Sequence, residues 1–450
     1  LRNKSPKLTI ALLLLCFELT AQNHLYTSEQ FGIYGSMLGG AVTAGTDDVS
    51  MMYYNPASIH QVSPQFNVSF IQPAVRFYGF KDFWRNGDPS NLNTSIGLKP
   101  TLISFKVKIK KLDIAFLRLN KSEFSDEFLT KQEITNNNLL TTRFFDYEYS
   151  GRDNWFGIGA NLKLKENLYI GWSQFMSSAR FSYKKNSLFE EINLAEDNQL
   201  IRYTESDFDG AYSNFGFISK IGVVYNADRH DFGFTITTPK YFRFIKGGDV
   251  FNANLNTENG ETTLDQIIDT DISPVIKTPW EFNLGYSFTI TNSQIFWVST
   301  SFHAGIDEYT MTEKVNTIGS ISWKNGSKSV MNLALGYSHE VNENLQLSGG
   351  IRTNNFAYEN KPVLQGTFRN TILDGNHMHF VFGSKINFKK NTILLGMDYG
   401  KIRNIPNEAG FQEVADVEML DVNLSNLRKS SISILLTYRF IINGIKNMIR

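Results

Sequence analysis

The sequence predicts an all-β transmembrane protein: an antiparallel β-barrel of about fourteen strands, with its own N-terminal segment lodged in the lumen as a hatch. Three observations predict it. Segments of about ten residues alternate apolar and polar side chains, as strands do when one face meets lipid and the other a lumen. Very short turns alternate with long polar connections. A Gly-, Ala- and Ser-rich stretch, Tyr34 to Ala57, precedes the first such segment and has no counterpart elsewhere in the chain.

Composition sets the bounds. The chain has 450 residues, with 44 basic and 44 acidic side chains, so no bulk charge draws it to nucleic acid. Aromatics make up 14% and prolines number only 11, a balance that favours a pleated surface. No stretch approaches 18 consecutive apolar residues, which excludes helical membrane spans. A closed barrel can still cross, because closure satisfies every backbone hydrogen bond. At the start, Arg2, Lys4 and Lys7 precede an apolar core from Leu8 to Leu19, and Leu19-Thr20-Ala21 is the pattern of a cleavage site. Residues 1–21 therefore read as a signal peptide. Cys16, the chain's single cysteine, lies within it, so the mature protein is expected to have no disulfide or thiolate chemistry. The expected location is the outer membrane of a gram-negative bacterium.

The clearest strand shows the principle. Trp280, Phe282, Leu284, Tyr286 and Phe288 fall on one face, and Glu281, Asn283, Gly285, Ser287 and Thr289 on the other. Met331, Leu333, Leu335 and Tyr337 alternate with Asn332, Ala334, Gly336 and Ser338 in the same way. Candidate strands span 65–77, 101–110, 112–120, 153–164, 167–181, 212–226 and 231–244 in the first half. The second half adds 279–290, 294–303, 328–341, 344–356, 376–388, 391–403 and 429–440. Turns such as Lys165-Glu166-Asn167 and Asn342-Glu343-Asn344 are short. Connections over 78–100, 121–152, 182–211, 245–278, 304–327, 357–375 and 404–428 are long and rich in Asn, Asp and Ser. The barrel is thus assigned to 65–440, with 441–450 as a C-terminal extension. A soluble sandwich would not place so many aromatics on one face of each strand, and a propeller would repeat every ~40–50 residues, which this chain does not.

The hatch is assigned to 22–64. Gly35, Gly39, Gly40 and Gly45 permit a close-packed or left-handed backbone. Asn55 before Pro56 and Ala57 is pushed into an extended conformation. Asp47 and Asp48 can cap turns or pair with lumenal cations. The six tryptophans, Trp84, Trp155, Trp172, Trp280, Trp297 and Trp323, fall near strand ends and read as an interfacial girdle. His377 and His379 share a strand face but lack further ligands, so they read as lumen or rim residues and no metal or other cofactor is called for. No Gly-x-Ser-x-Gly, HExxH or triad pattern points to an enzyme.

Gly35-Ser36-Met37-Leu38-Gly39-Gly40-Ala41-Val42-Thr43-Ala44, followed by Asp47-Asp48 and Tyr54-Asn55-Pro56-Ala57, resembles the N-terminal signature of the FadL/TodX family of outer-membrane transporters. Lys277 to Tyr286, Phe215 to Pro239, and Leu335-Gly336-Tyr337 through Gly349-Gly350-Ile351-Arg352 are similar to later strands of that family. The resemblance implies a fourteen-stranded barrel closed by an N-terminal hatch. It also implies a hydrophobic small-molecule ligand such as a long-chain fatty acid or aromatic hydrocarbon, and lateral exit into the outer-membrane lipid. Some barrels of this fold are PorV-like and serve protein export, so secretion-system proteins are the alternative partners.

Overall fold

The structure is a computed structural model. It describes residues 24–63, 65–69, 72–80, 83–84, 92–99, 102–109, 112–258, 260–315, 320–358, 367–369, 372–389, 391–404 and 427–441. The expected signal peptide, and the extension beyond Ile441, lie outside these residues.

Strands dominate. In order they are β1 (Gln65–Ser69), β2 (Gln72–Phe80), β3 (Leu92–Lys99), β4 (Leu102–Ile109), β5 (Leu112–Asn136), β6 (Leu139–Lys165) and β7 (Leu168–Asn193). Then come β8 (Gln199–Ala227), β9 (His230–Thr237), β10 (Tyr241–Glu258), β11 (Glu261–Asp269), β12 (Glu281–Thr291), β13 (Gln294–His303) and β14 (Ile306–Val315). The last are β15 (Ser320–Ser327), β16 (Val330–Asn342), β17 (Leu345–Asn354), β18 (Thr367–Arg369), β19 (Asn376–Phe388), β20 (Asn391–Asn404) and β21 (Leu427–Ile441). No helix among the described residues is long and apolar enough to cross a membrane.

Eighteen of these segments form one sheet, antiparallel at each pairing, and it closes because β21 pairs with β1 and β2 as well as with β20. Four pairs of segments run end to end: β1 with β2, β3 with β4, β9 with β10, and β11 with β12. The pairings therefore trace fourteen passes where the sequence predicts fourteen unbroken strands. One break has a local cause. Thr238-Pro239-Lys240 interrupts the pass between β9 and β10, since proline cannot donate to a ladder.

The wall is polar inside and apolar outside. Asn283 and Ser287 are buried while Phe282 and Leu284 are exposed, and Asn332 and Ser338 are buried while Met331, Leu333 and Tyr337 are exposed. Leu284 is 57% exposed and Phe382 61%. Such an apolar belt would be costly in water, at about 25 cal/mol per Å², and is suited to lipid.

Three of the expected long connections are wall instead. Residues 121–152, 182–211 and most of 245–278 continue as strand, so that β5, β6, β7 and β8 run 25, 27, 26 and 29 residues. At about 3.4 Å per residue these are ~85–100 Å long, well beyond what a bilayer needs. The β5–β6 link is a two-residue turn, Asn137-Asn138, with φ of 48° and 63°, the primed-turn geometry that Asn tolerates. Polar composition misleads here because the upper wall stands in water, so its outer face is polar. Its inner face carries Phe128, Phe145, Tyr147, Tyr149, Phe181, Tyr183, Phe208 and Tyr212, all buried in one aromatic core. The 304–327 connection is also structured: β14 and β15, with β18 in parallel, make a separate three-stranded sheet. Trp323 of that sheet packs edge-on against Phe208 and Tyr212, with ring centroids 5.4 Å away in each case.

The tryptophan girdle needs correction. Trp84, Trp155, Trp297 and Trp323 are buried, whereas Trp172 is 45% exposed and Trp280 stacks on the exposed Phe282. A tryptophan near a strand end can point to either face, and parity decides: Trp297 shares the inward parity of Ser299 and His303.

Candidate functional site

Residues 24–63 touch the wall all round. Lys106 of β4 donates to Val62 O, Ser173 of β7 to Met52 O at 3.0 Å, and Lys385 of β19 to Tyr34 Oη at 2.6 Å. Arg439 of β21 donates to Asp47 O at 2.7 Å, while Thr43 N donates to Ser299 Oγ of β13 at 3.2 Å. These partners lie on opposite sides of a closed sheet, so the segment occupies the lumen.

Its fold follows from the residues the sequence singles out. A short helix, Gly32–Met37, is ended by Gly39 and Gly40 at φ 62° and 86°, with Gly40 N donating to Gly35 O at 2.8 Å. Gly35 lies against the Tyr54 ring, and a Cβ there would stand 2.5 Å from Tyr54 Oη. Asp48 is fully buried and accepts from Ile33 N at 2.5 Å and Ser50 N at 2.8 Å, tying that helix to the next turn. Asp47 faces the wall, where Arg439 Nη1 reaches its Oδ2 at 3.2 Å. Asn55 donates to Thr43 O at 2.8 Å and Val223 O at 3.1 Å, and accepts from Ala57 N at 3.1 Å. Pro56 and Ala57 open a 3-10 turn, Pro56–Gln61, entered from the extended Asn55. The eight singled-out residues thus build one lumenal body.

The wall makes room for it with glycine. A Cβ on Gly233 would stand 2.0 Å from Thr43 O, on Gly171 2.2 Å from the Pro56 carbonyl carbon, and on Gly350 2.5 Å from the Leu38 carbonyl carbon. Inward glycines on several strands let the backbone of the lumenal segment approach the backbone of the wall.

Beside and above this body the lumen is hollow. One cavity is walled by Trp155, Phe181, Ile218, Ile276 and Pro279. Polar groups lie at its floor. Lys121 Nζ donates to Tyr26 O at 2.6 Å, His303 stacks on Tyr26 at 4.4 Å, and Lys220 Nζ lies 3.4 Å from Glu281 Oε1. Lys121 and Lys220 both stand over the Tyr53 ring, at 5.5 and 4.9 Å. A bulge between Asn120 and Ser122 places Lys121 here. Sequence reasoning put Glu281 on a polar face but did not connect it to Lys121, Lys220 or His303, which lie on three other strands.

A second cavity sits higher, between Tyr78, Phe124, Tyr149 and Phe356. Lys429 Nζ bridges Asp126 at 2.6 Å and Asp374 at 2.7 Å, and His377 Nε2 lies 2.6 Å from Asp374 Oδ1. Burial pushes the Asp374 carboxyl up, but Lys429 and His377 outweigh it and hold the group well below the usual carboxylate range. His379 and Arg352 meet Asp398, each at 2.9 Å, and Arg352 also donates to Ser28 O at 2.9 Å. His377 and His379 are lumenal residues that contact Asp374 and Asp398, and no group of three or more His, Cys, Asp or Glu among the described residues could hold a metal.

A closed antiparallel barrel with a belt outside, a folded segment in its lumen and apolar-walled cavities beside it defines the class of plugged outer-membrane-type barrels. Several solved structures share the fold. The toluene transporter TodX of Pseudomonas putida aligns over 95% of this chain and 100% of its own, at 12% identity and a TM-score of 0.60. A Pseudomonas aeruginosa FadL homologue covers 94% and 100%, at 10% identity and 0.54, and the toluene transporter TbuX of Ralstonia pickettii 92% and 99%, at 10% and 0.54. At such identities the likeness establishes the shared fold. No protein-family model matches the chain, and no curated protein matches it in sequence.

Proposed function

We propose that this protein is an outer-membrane channel for hydrophobic small molecules, with residues 24–63 as the hatch that gates it. The observation that carries this reading is the cavity between Trp155, Phe181, Ile218, Ile276 and Pro279, which adjoins the hatch through Tyr26. Its walls suit an apolar body, and the Lys121, Glu281 and His303 floor lets it orient a ligand by a polar end. The solved channels TodX and TbuX, described as toluene transporters, share the fold and support the same class of cargo. A barrel that serves protein secretion has no need of such a cavity.

The test is reconstitution in liposomes. Entry of a monoaromatic hydrocarbon should be fast while a hydrophilic solute of similar size is excluded, and deletion of 24–57 should admit both. Equal entry of the two solutes through the intact protein would sink the proposal.

A further inference from the structure

We propose that the outer face of β5, β6 and β7, just above the apolar belt, binds the phosphate of an anionic membrane lipid through Arg152 and Arg180. The lipid's acyl chain lies at the mouth of a cleft in the wall. The site is on the outside of the barrel, so it stands whether or not cargo passes through the lumen.

The first observation is a placement that costs stability unless an anion is present. Arg152 and Arg180 are direct cross-strand partners on the same outward face. Like charges placed opposite each other in a sheet repel. Among the described residues a single carboxylate on this face compensates them: Glu123, the partner of Arg152 on β5, which pairs with Arg152. The other neighbour of Arg180 is Ser213, which carries no charge. Arg76 of β2 has the inward parity of Ala74 and Tyr78 and reaches the parted wall from the lumenal side, where its Nη2 donates to Glu123 O at 3.2 Å. Two outward guanidinia against one carboxylate leave an excess of positive charge, and Arg forks match phosphate oxygens two at a time.

The second observation is the parted wall. β4 pairs with β5 from Ile109↔Leu112 up to Leu102↔Leu119, but β3 pairs only with β2. Above that level the β5 edge is satisfied by side chains instead, with Arg76 on Glu123 O and Asn93 Nδ2 on Glu127 O at 2.9 Å. The cleft so formed is lined by the three arginines together with Ile96, Phe124 and Phe181. Ile96 is 77% exposed, an apolar surface beside a charged rim.

The third observation is depth. Phe156, 43% exposed in the belt, lies four residues from Arg152 on the same face of β6, about 13 Å along the strand. That is the step from acyl chains to headgroups. Beyond the arginine row the outer face turns acidic, with Asp146, Glu148, Asp207 and Asp209 around Lys184. An anion is therefore favoured at the arginine row and repelled further out.

The full chain would be reconstituted in nanodiscs of phosphatidylcholine with a minority of phosphatidylglycerol, and the lipids it retains counted by native mass spectrometry. Variants Arg152→Gln, Arg180→Gln and the pair would be compared with Lys184→Gln, and heat-modifiable gel mobility would confirm that each is folded. The wild type should retain phosphatidylglycerol over phosphatidylcholine by about tenfold, the pair should fall to near parity, and Lys184→Gln should match the wild type. Millimolar inorganic phosphate should leave the lipid in place. Wild-type retention by the folded double variant, or by both single variants if the pair does not fold, would overturn the proposal. Displacement by inorganic phosphate would also overturn it, by making this a free-anion site.

Discussion

Gly222 of the wall and Asn55 of the lumenal segment stand so close that a Cβ on Gly222 would lie 2.1 Å from Asn55 Oδ1. One strand residue without a side chain thus fixes how near the segment can sit. Replacing Gly222 by Leu, or Gly233 by Val, should push residues 24–63 off the wall while leaving the strand ladders intact. Limited proteolysis should then cut within 24–63 in the variants and not in the wild type. A protected segment in both variants would mean that the contact is not tight in solution.

Asn55 satisfies two backbone carbonyls, Thr43 O and Val223 O, and caps Ala57 N. Asn55→Ala leaves these groups buried without those partners, at about 1–3 kcal/mol each. Asn55→Asp keeps the acceptor for Ala57 but loses both donors. Hydrogen exchange over 24–63 should rise strongly in the Ala variant and also in the Asp variant, with the wall unchanged. Exchange confined to wall amides would contradict this.

In the cavity, Trp155 stacks near Phe175 and Tyr53, with centroids at 5.2 and 5.9 Å, and donates to Asp153 Oδ2 at 2.8 Å. Trp155→Ala should weaken binding of a hydrophobic fluorescent probe about tenfold or more by removing a wall of the cavity. Glu281→Gln keeps the shape but unpairs Lys220, which should favour probes with an anionic end over neutral ones. Identical selectivity in the wild type and the Gln variant would remove Glu281 from the site.

Asp374 joins the connection before β19 to Lys429 and, through it, to Asp126. Its folded-state pKa is depressed, so its stabilisation is present above the ordinary carboxylate value of ~3.9 and is lost as pH falls through the lower, folded-state value. Proteolytic cleavage within 372–375 should therefore increase at strongly acid pH. Asp374→Asn should show that cleavage already at neutral pH, with a flatter pH dependence. If the variant resembles the wild type at neutral pH, the Lys429 bridge does not hold the connection.

Much of the wall is legible in the sequence because period-two alternation is a local property. From Trp280 to Phe288 and from Met331 to Tyr337 the alternation alone separates the outward from the inward side chains. The upper wall escaped because its polar outer face, with Asn137-Asn138 at a hairpin tip, has the composition of a loop. Its strand signal was the alternating aromatics Phe145, Tyr147 and Tyr149, which the pattern of polar residues obscured. The tryptophans were misplaced for a related reason, since closeness to a strand end says nothing about which face a side chain takes.

Local pattern suffices for the membrane-level strands, their faces and the unusual segment Tyr34 to Ala57, because glycine, proline and alternating side chains act on their own neighbourhood. Tertiary structure alone decided where that segment goes and what surrounds it. Lys121, Lys220, Glu281 and His303 come from four strands, and Arg152 meets Arg180 only through register. Such meetings depend on how a closed sheet brings distant residues together, and no local rule specifies that.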